Sequence, residues 1–156
     1  MNEFIKMLIS SVLGTVGFGI LFKMQAKKLI TVAFLGGGCI TLYYLFSNVL
    51  KTNAFVSAIV ATLFVSVAAE LLARVLQAPA VIFIIPSIIP IVPGGALYRF
   101  MKGLINGSVS EALPYGKEAI LTALGVAGGI IVVSIVVNIV MGILENLRQG
   151  TKNKYS

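Results

Sequence analysis

The sequence predicts an all-α, polytopic membrane bundle of five spans, and three observations carry that prediction. Of 156 residues, 58% are hydrophobic and only 11% are charged, where a soluble domain carries about 25% charged residues. Mean hydropathy is +1.04, and the apolar residues gather in runs close to the ~20 residues that one crossing needs. Twelve Lys and Arg against five acids give a net charge of +7. These cations sit at the ends of the apolar runs, where they anchor and orient helices against lipid headgroups. That placement argues for a bilayer and against nucleic acid as the partner. The length fits one integral membrane domain over 1–156, with spans at about 4–22, 29–50, 54–76, 79–98 and 119–144.

The first span, 4–22, carries only Lys6, and a basic cluster follows it directly. With no A-x-A site after it, the run reads as a retained helix, not a cleaved signal. Gly14 and Gly17, at i and i+3, share a face suited to close packing; a flexible point lining a path is the functional alternative. Lys23, Lys27 and Lys28 make the next loop cytoplasmic by the positive-inside rule, which leaves the N-terminus outside. In the second span, 29–50, Gly36-Gly37-Gly38 allow close packing or a bend, and Tyr43 and Tyr44 suit an interface.

The third span, 54–76, holds Glu70 and Arg74 at i and i+4, on one face with the acid first. Isolated charges at mid-membrane cost about 2.5–3.5 kcal/mol each. Sixteen residues at ~1.5 Å place Glu70 roughly 24 Å along the helix, in the inner third of the bilayer. The pair is either a snorkelling ion pair or a buried acid with a proton-coupling role.

The fourth run, 79–98, is apolar, yet it holds Pro86, Pro90, Pro93, Gly94 and Gly95. Each interior proline lacks an N–H and clashes with the carbonyl four residues back. A regular helix here would free the carbonyls of Ile82, Pro86 and Ile89. Hydrocarbon tolerates such groups only against protein or a water-filled cavity. The run is therefore expected to be a broken helix. A new helix from about Gly95 would point its N-terminal N–H groups into the bundle, the arrangement by which transporters build substrate sites. Ser87 and Tyr98 are its candidate polar contacts.

A polar stretch, 103–118, follows, and Ser108-Val109-Ser110-Glu111 resembles a capping box for a short interfacial helix. The last span, 119–144, carries Gly125, Gly128 and Gly129 as a close-packed face. Asn138 is its lone deep amide, a candidate for the transport path or for a bond to a neighbouring helix. The tail with Arg148, Lys152 and Lys154 reads as cytoplasmic. Five spans place seven cations inside and five outside. Four spans plus a re-entrant hairpin give the same count, so charge bias leaves both open, and the length of 79–98 favours five.

The chemistry the chain lacks is equally informative. It has no His and no Asp, and Cys39 is its single cysteine. His-based triads, multi-Cys metal sites and the residue sets of intramembrane proteases are therefore absent, and no cofactor is expected. No phosphate-loop motif occurs. The expectation is a protein that is not an enzyme.

The string Glu70-Leu71-Leu72-Ala73-Arg74, then Pro79, then Ile85-Pro86-Ser87-Ile88-Ile89-Pro90-Ile91-Val92-Pro93-Gly94-Gly95-Ala96-Leu97-Tyr98, resembles the signature of the threonine/serine exporter family. The chain is similar to the short subunit, which matches the C-terminal half of the fused exporters. Ser87 departs from the glycine expected in many relatives and adds a hydroxyl. The resemblance implies proton-driven export of threonine and serine, or of dicarboxylates such as succinate in some split pairs. It also implies a larger partner subunit with several spans and a soluble N-terminal region, in the cell membrane. A non-transporting assembly subunit and a homo-oligomeric channel are the alternative readings.

Overall fold

Long apolar runs without internal breaks become long helices, because a backbone in hydrocarbon satisfies its N–H and C=O groups only within itself. The computed structural model describes the backbone of residues 2–152 and the side chains of residues 3–143. All regular structure among them is helical: α1 (Asn2–Leu21), α2 (Ala26–Tyr44), α3 (Ala54–Val75), α4 (Val81–Ile88), α5 (Gly94–Ile105) and α6 (Val109–Lys152). A π turn at Leu45–Val49 extends α2, and a 3₁₀ turn at Ile89–Ile91 extends α4. The tail cations Arg148, Lys152 and Lys154 lie outside the described side chains.

Small residues set the spacing of the first three helices. Ser11, Thr15 and Gly19 follow one another at i, i+4, i+8 and are the buried residues of α1. The Thr15 side chain lies directly on Gly36 of α2, and Ser11 Oγ donates to the Gly36 carbonyl at 3.1 Å. The other side of the glycine triplet receives α3: a Cβ on Gly38 would meet the Phe64 ring at 2.8 Å. The triplet therefore serves close packing, within a continuous helix. Gly14 and Gly17, expected to pack, have nothing within 4 Å of a Cβ among the described residues. The packing stripe repeats every fourth residue, and these two lie off it.

Two apolar clusters fix the depth of α4. Phe83 and Ile84 sit with Val32, Leu35 and Ala69, while Ile91 sits with Cys39, Ile40, Ala61 and Val65. So α4 begins beside the end of α3 and runs back along it. Helices α3 and α6 then run parallel: Gly125 lies on Phe55 and Ala58, and Gly129 on Thr62. A parallel pair requires the chain between them to return across the bundle. A re-entrant hairpin would make them antiparallel. The broken segment thus completes a crossing, with its two halves bent by 47°, and the bundle has up to five spans.

The polar stretch departs from expectation. Only Asn106–Ser108 forms the turn, where Gly107 adopts φ +73° and the Ser108 N–H closes on the Gly103 carbonyl at 2.9 Å. The helix expected at 108–111 is the first turn of α6, which continues without a break for 44 residues. At ~1.5 Å per residue that is roughly 66 Å, about twice the hydrocarbon thickness. Its first turns extend past the start of α3 and pack antiparallel on α5. There Gly103 meets Ala112 and Gly116 meets Phe100. The Arg99 guanidinium lies 5.4 Å from the Tyr115 ring centre, a cation–π contact.

Candidate functional site

Three prolines act at different points of the fourth crossing. Pro86 sits inside α4 and is buried, as is Ser87. Pro90 occupies the 3₁₀ turn, and Pro93 is the N-cap of α5. The tighter turn repairs one expected gap: the Val92 N–H donates to the Ile89 carbonyl at 3.1 Å, so that carbonyl is not free. The Gly94 N–H donates to the Val92 carbonyl at 2.7 Å.

The break faces α1. Ile89 and Pro90 form one wall of a cleft of about 260 Å³, and Met7, Ser10, Ser11, Gly14 and Ile40 form the rest. Gly14 thus serves the cleft and not a helix seam. Ser10 and Ser11 bring its hydroxyls, with the Ser11 proton already given to the Gly36 carbonyl so that its oxygen is left to accept, and sequence reasoning missed both. Ser11 could have been found from the Ser11-xxx-Thr15-xxx-Gly19 spacing, which marks the buried face of α1, whereas Ser10 is exposed beside that face and carries no such signal.

Behind the cleft lie buried hydroxyls. Thr15, Thr62, Ser66 and Ser87 are fully buried or nearly so, and their side-chain oxygens have no hydrogen-bond partner among the described residues. An unpaired buried hydroxyl costs about 1–3 kcal/mol. Thr15 lies against Gly36; Ser87 lies on α4 between Phe83 and Ile91. Ser66 lies on α3 between Val65 and Ala69. The two apolar clusters bracket all three, so Thr15, Ser66 and Ser87 share one depth near the middle of the bundle. A polar layer at mid-depth beside a broken helix is where secondary transporters hold substrate.

The remaining expected residues lie apart from this cleft. Glu70 and Arg74 do share a face, and both line a second, apolar groove of about 340 Å³ between α3 and α6. They are not paired: the one salt bridge among the described residues is Lys6–Glu3, at 3.8 Å. Glu70 is half-buried and Arg74 exposed. Arg74 lies within two residues of the end of α3, where a long cationic side chain can extend toward the headgroups instead of pairing. Gly94, Gly95 and Tyr98 are exposed, and a Cβ on either glycine would meet no other part of the described fold within 4 Å. The first turn of α5 therefore opens at the surface of this chain, and not into the bundle. Asn138 is exposed on α6 and makes no hydrogen bond among the described residues.

A multi-pass bundle with one discontinuous segment and buried hydroxyls at its middle is an architecture that membrane transporters use. Comparison with protein families matches residues 7–136 to the family described as threonine/serine exporter, ThrE. The chain belongs to that family, and the match spans both the α1 serines and the Pro86–Tyr98 signature. No curated protein and no solved structure matches it.

Proposed function

We propose that this chain is one half of a secondary exporter of small polar metabolites, working with a larger membrane subunit. The family makes it an exporter of such metabolites in a cell membrane. The finer reading rests on one observation above all: the cleft that joins the α4–α5 break to Ser10 and Ser11, backed by unpaired hydroxyls at the same depth. Hydroxyls in that cleft suit the hydroxyl, ammonium or carboxyl groups of threonine or serine. Pro86, Pro90 and Pro93 hold the break open, and Ser87 supplies a further hydroxyl. The exposed first turn of α5, with Gly94, Gly95 and Tyr98, is then a face for the larger subunit to complete the path. A dicarboxylate such as succinate would need cations, and Arg99 is the nearest one to that turn in sequence.

Proton coupling falls to Glu70, the acid that lies within the apolar run 54–76. Counterflow in liposomes tests the whole reading. The chain would be reconstituted alone and with the larger subunit, against labelled threonine, serine and succinate. Exchange of threonine or serine only when both subunits are present is the expected result. Exchange by this chain alone would replace the half-exporter with a homo-oligomeric carrier or channel. No exchange of any label by the pair would favour an assembly role.

A further inference from the structure

We infer that the tip of the α5–α6 hairpin holds a second small-molecule site, and that it takes an amino acid as its zwitterion and not a dicarboxylate. Gly103 lies on Ala112, so the two helices close tightly there. Beside that contact, Arg99, Lys102 and Asn106 of α5 line one cleft with Glu111 and Tyr115 of α6, and Ser108 stands at its turn end. The cleft holds about 180 Å³. A water's share of liquid volume is about 30 Å³, so there is room for roughly six water-sized groups. That suits the carboxylate, ammonium and α-carbon of an amino acid. The site also lies outside the hydrocarbon. Gly125 rests on Phe55 and Ala58, near the start of α3. Glu111 comes fourteen residues earlier on α6, roughly 21 Å farther out at ~1.5 Å per residue. Polar solutes reach it from water, apart from the cleft between α1 and the break.

Charge selects the ligand. The Arg99 guanidinium lies over the Tyr115 ring, 5.4 Å from its centre. That contact holds the cation by its face and leaves its N–H donors for an anion. Arg99, Lys102 and Glu111 are in no salt bridge, since the one among the described residues joins Lys6 to Glu3. The cleft therefore gathers two cations and one acid that do not neutralise one another. A carboxylate bound by Arg99 and Lys102, with an ammonium bound by Glu111, makes charge-assisted hydrogen bonds at both ends of an amino acid. A dicarboxylate would bring its second carboxylate against Glu111. The inference rests on these charges and not on the transport path, so it stands or falls separately from the exporter reading.

Saturation-transfer NMR on the full chain in nanodiscs, titrated with L-threonine and with succinate, tests this. Glu111→Gln should weaken threonine binding about tenfold, the loss of one charge-assisted hydrogen bond, while succinate binding strengthens. Arg99→Gln should weaken both ligands. Opposite responses of the two ligands to one substitution are a signature that a merely structural role for Glu111 would not give. Threonine still bound by a chain that exchanges no label with its larger subunit would sustain this site and remove the exporter. No threonine binding to the wild type, unchanged threonine binding in Glu111→Gln or Arg99→Gln, or equal weakening of both ligands in Glu111→Gln would each overturn the proposal.

Discussion

The two halves of the α3–α6 pair are built from the same two helices and differ completely. Toward the start of α3, Gly125 and Gly129 let α6 rest on the Phe55 carbonyl, the Ala58 methyl and the Thr62 side chain. Toward the end of α3, valines at 132, 133, 136 and 137 replace the glycines. The helices part into an open groove that exposes Glu70 and Arg74. Glycine spacing, not overall hydrophobicity, decides where two apolar helices close. The closed half can then serve as the fixed hinge of the bundle, and the open half is where a charged group is tolerated.

The largest expected effect comes from breaking the closed half. A Cβ at Gly125 would stand 2.6 Å from the Phe55 carbonyl and 2.8 Å from the Ala58 methyl, and backbone cannot yield as a side-chain tip can. Gly125→Ala should cost about 1–3 kcal/mol, the usual penalty of overpacking, and Gly125→Leu should abolish recovery of folded protein. Thermal unfolding in detergent with size-exclusion profiles reads both. An unshifted melting temperature for Gly125→Ala would mean that the helices are not in contact there.

Glu70 tests the open half. Glu70→Gln should leave folding unchanged, since no ion pair is lost, and should remove the dependence of export on an imposed pH gradient. Export that still follows the gradient would take Glu70 out of the mechanism. The polar layer gives the next effect down. Ser87→Ala removes a buried hydroxyl with no partner, so it should stabilise by about 1 kcal/mol while slowing export. A destabilised Ser87→Ala would show that the hydroxyl is bonded after all. The smallest effect sharpens the comparison itself. Gly128 lies one position from Gly129, yet a Cβ there meets only Ile59 Cδ1, at an ordinary 3.6 Å. Gly128→Ala should therefore change stability by no more than about 0.5 kcal/mol, against the larger loss at Gly125.

Much of the fold was legible in composition and punctuation. Apolar run lengths pointed to the long helices of a four- to five-span bundle, and proline spacing located the break to within a turn. The helix starts ten residues before the expected span boundary at 119, because the short interfacial helix expected from Ser108 joins the span without a break. Those residues are helical because α5 covers one side of them, through Gly103 on Ala112 and Phe100 on Gly116. The candidate site was legible only in part. Pro86, Ser87 and Pro90 stand out in the sequence, but Ser10, Ser11, Thr15 and Ser66 look like ordinary small residues in apolar helices. Their role depends on which helix lies opposite.

Taken alone, the sequence determined that this chain crosses a membrane, that one apolar run is discontinuous, and that no His-based triad or multi-Cys metal centre can form from its residues. Those conclusions follow from residue chemistry and from the cost of bare backbone in lipid, which need no partner residue to evaluate. Tertiary structure decided which glycines are contacts, that Glu70 and Arg74 stand apart, and that the break opens onto α1. It also decided that the broken segment crosses and does not turn back, since α3 and α6 run parallel. Each of these depends on the register between helices. Register is set by the mutual fit of small and large side chains across an interface, a property of pairs of segments that neither segment contains by itself.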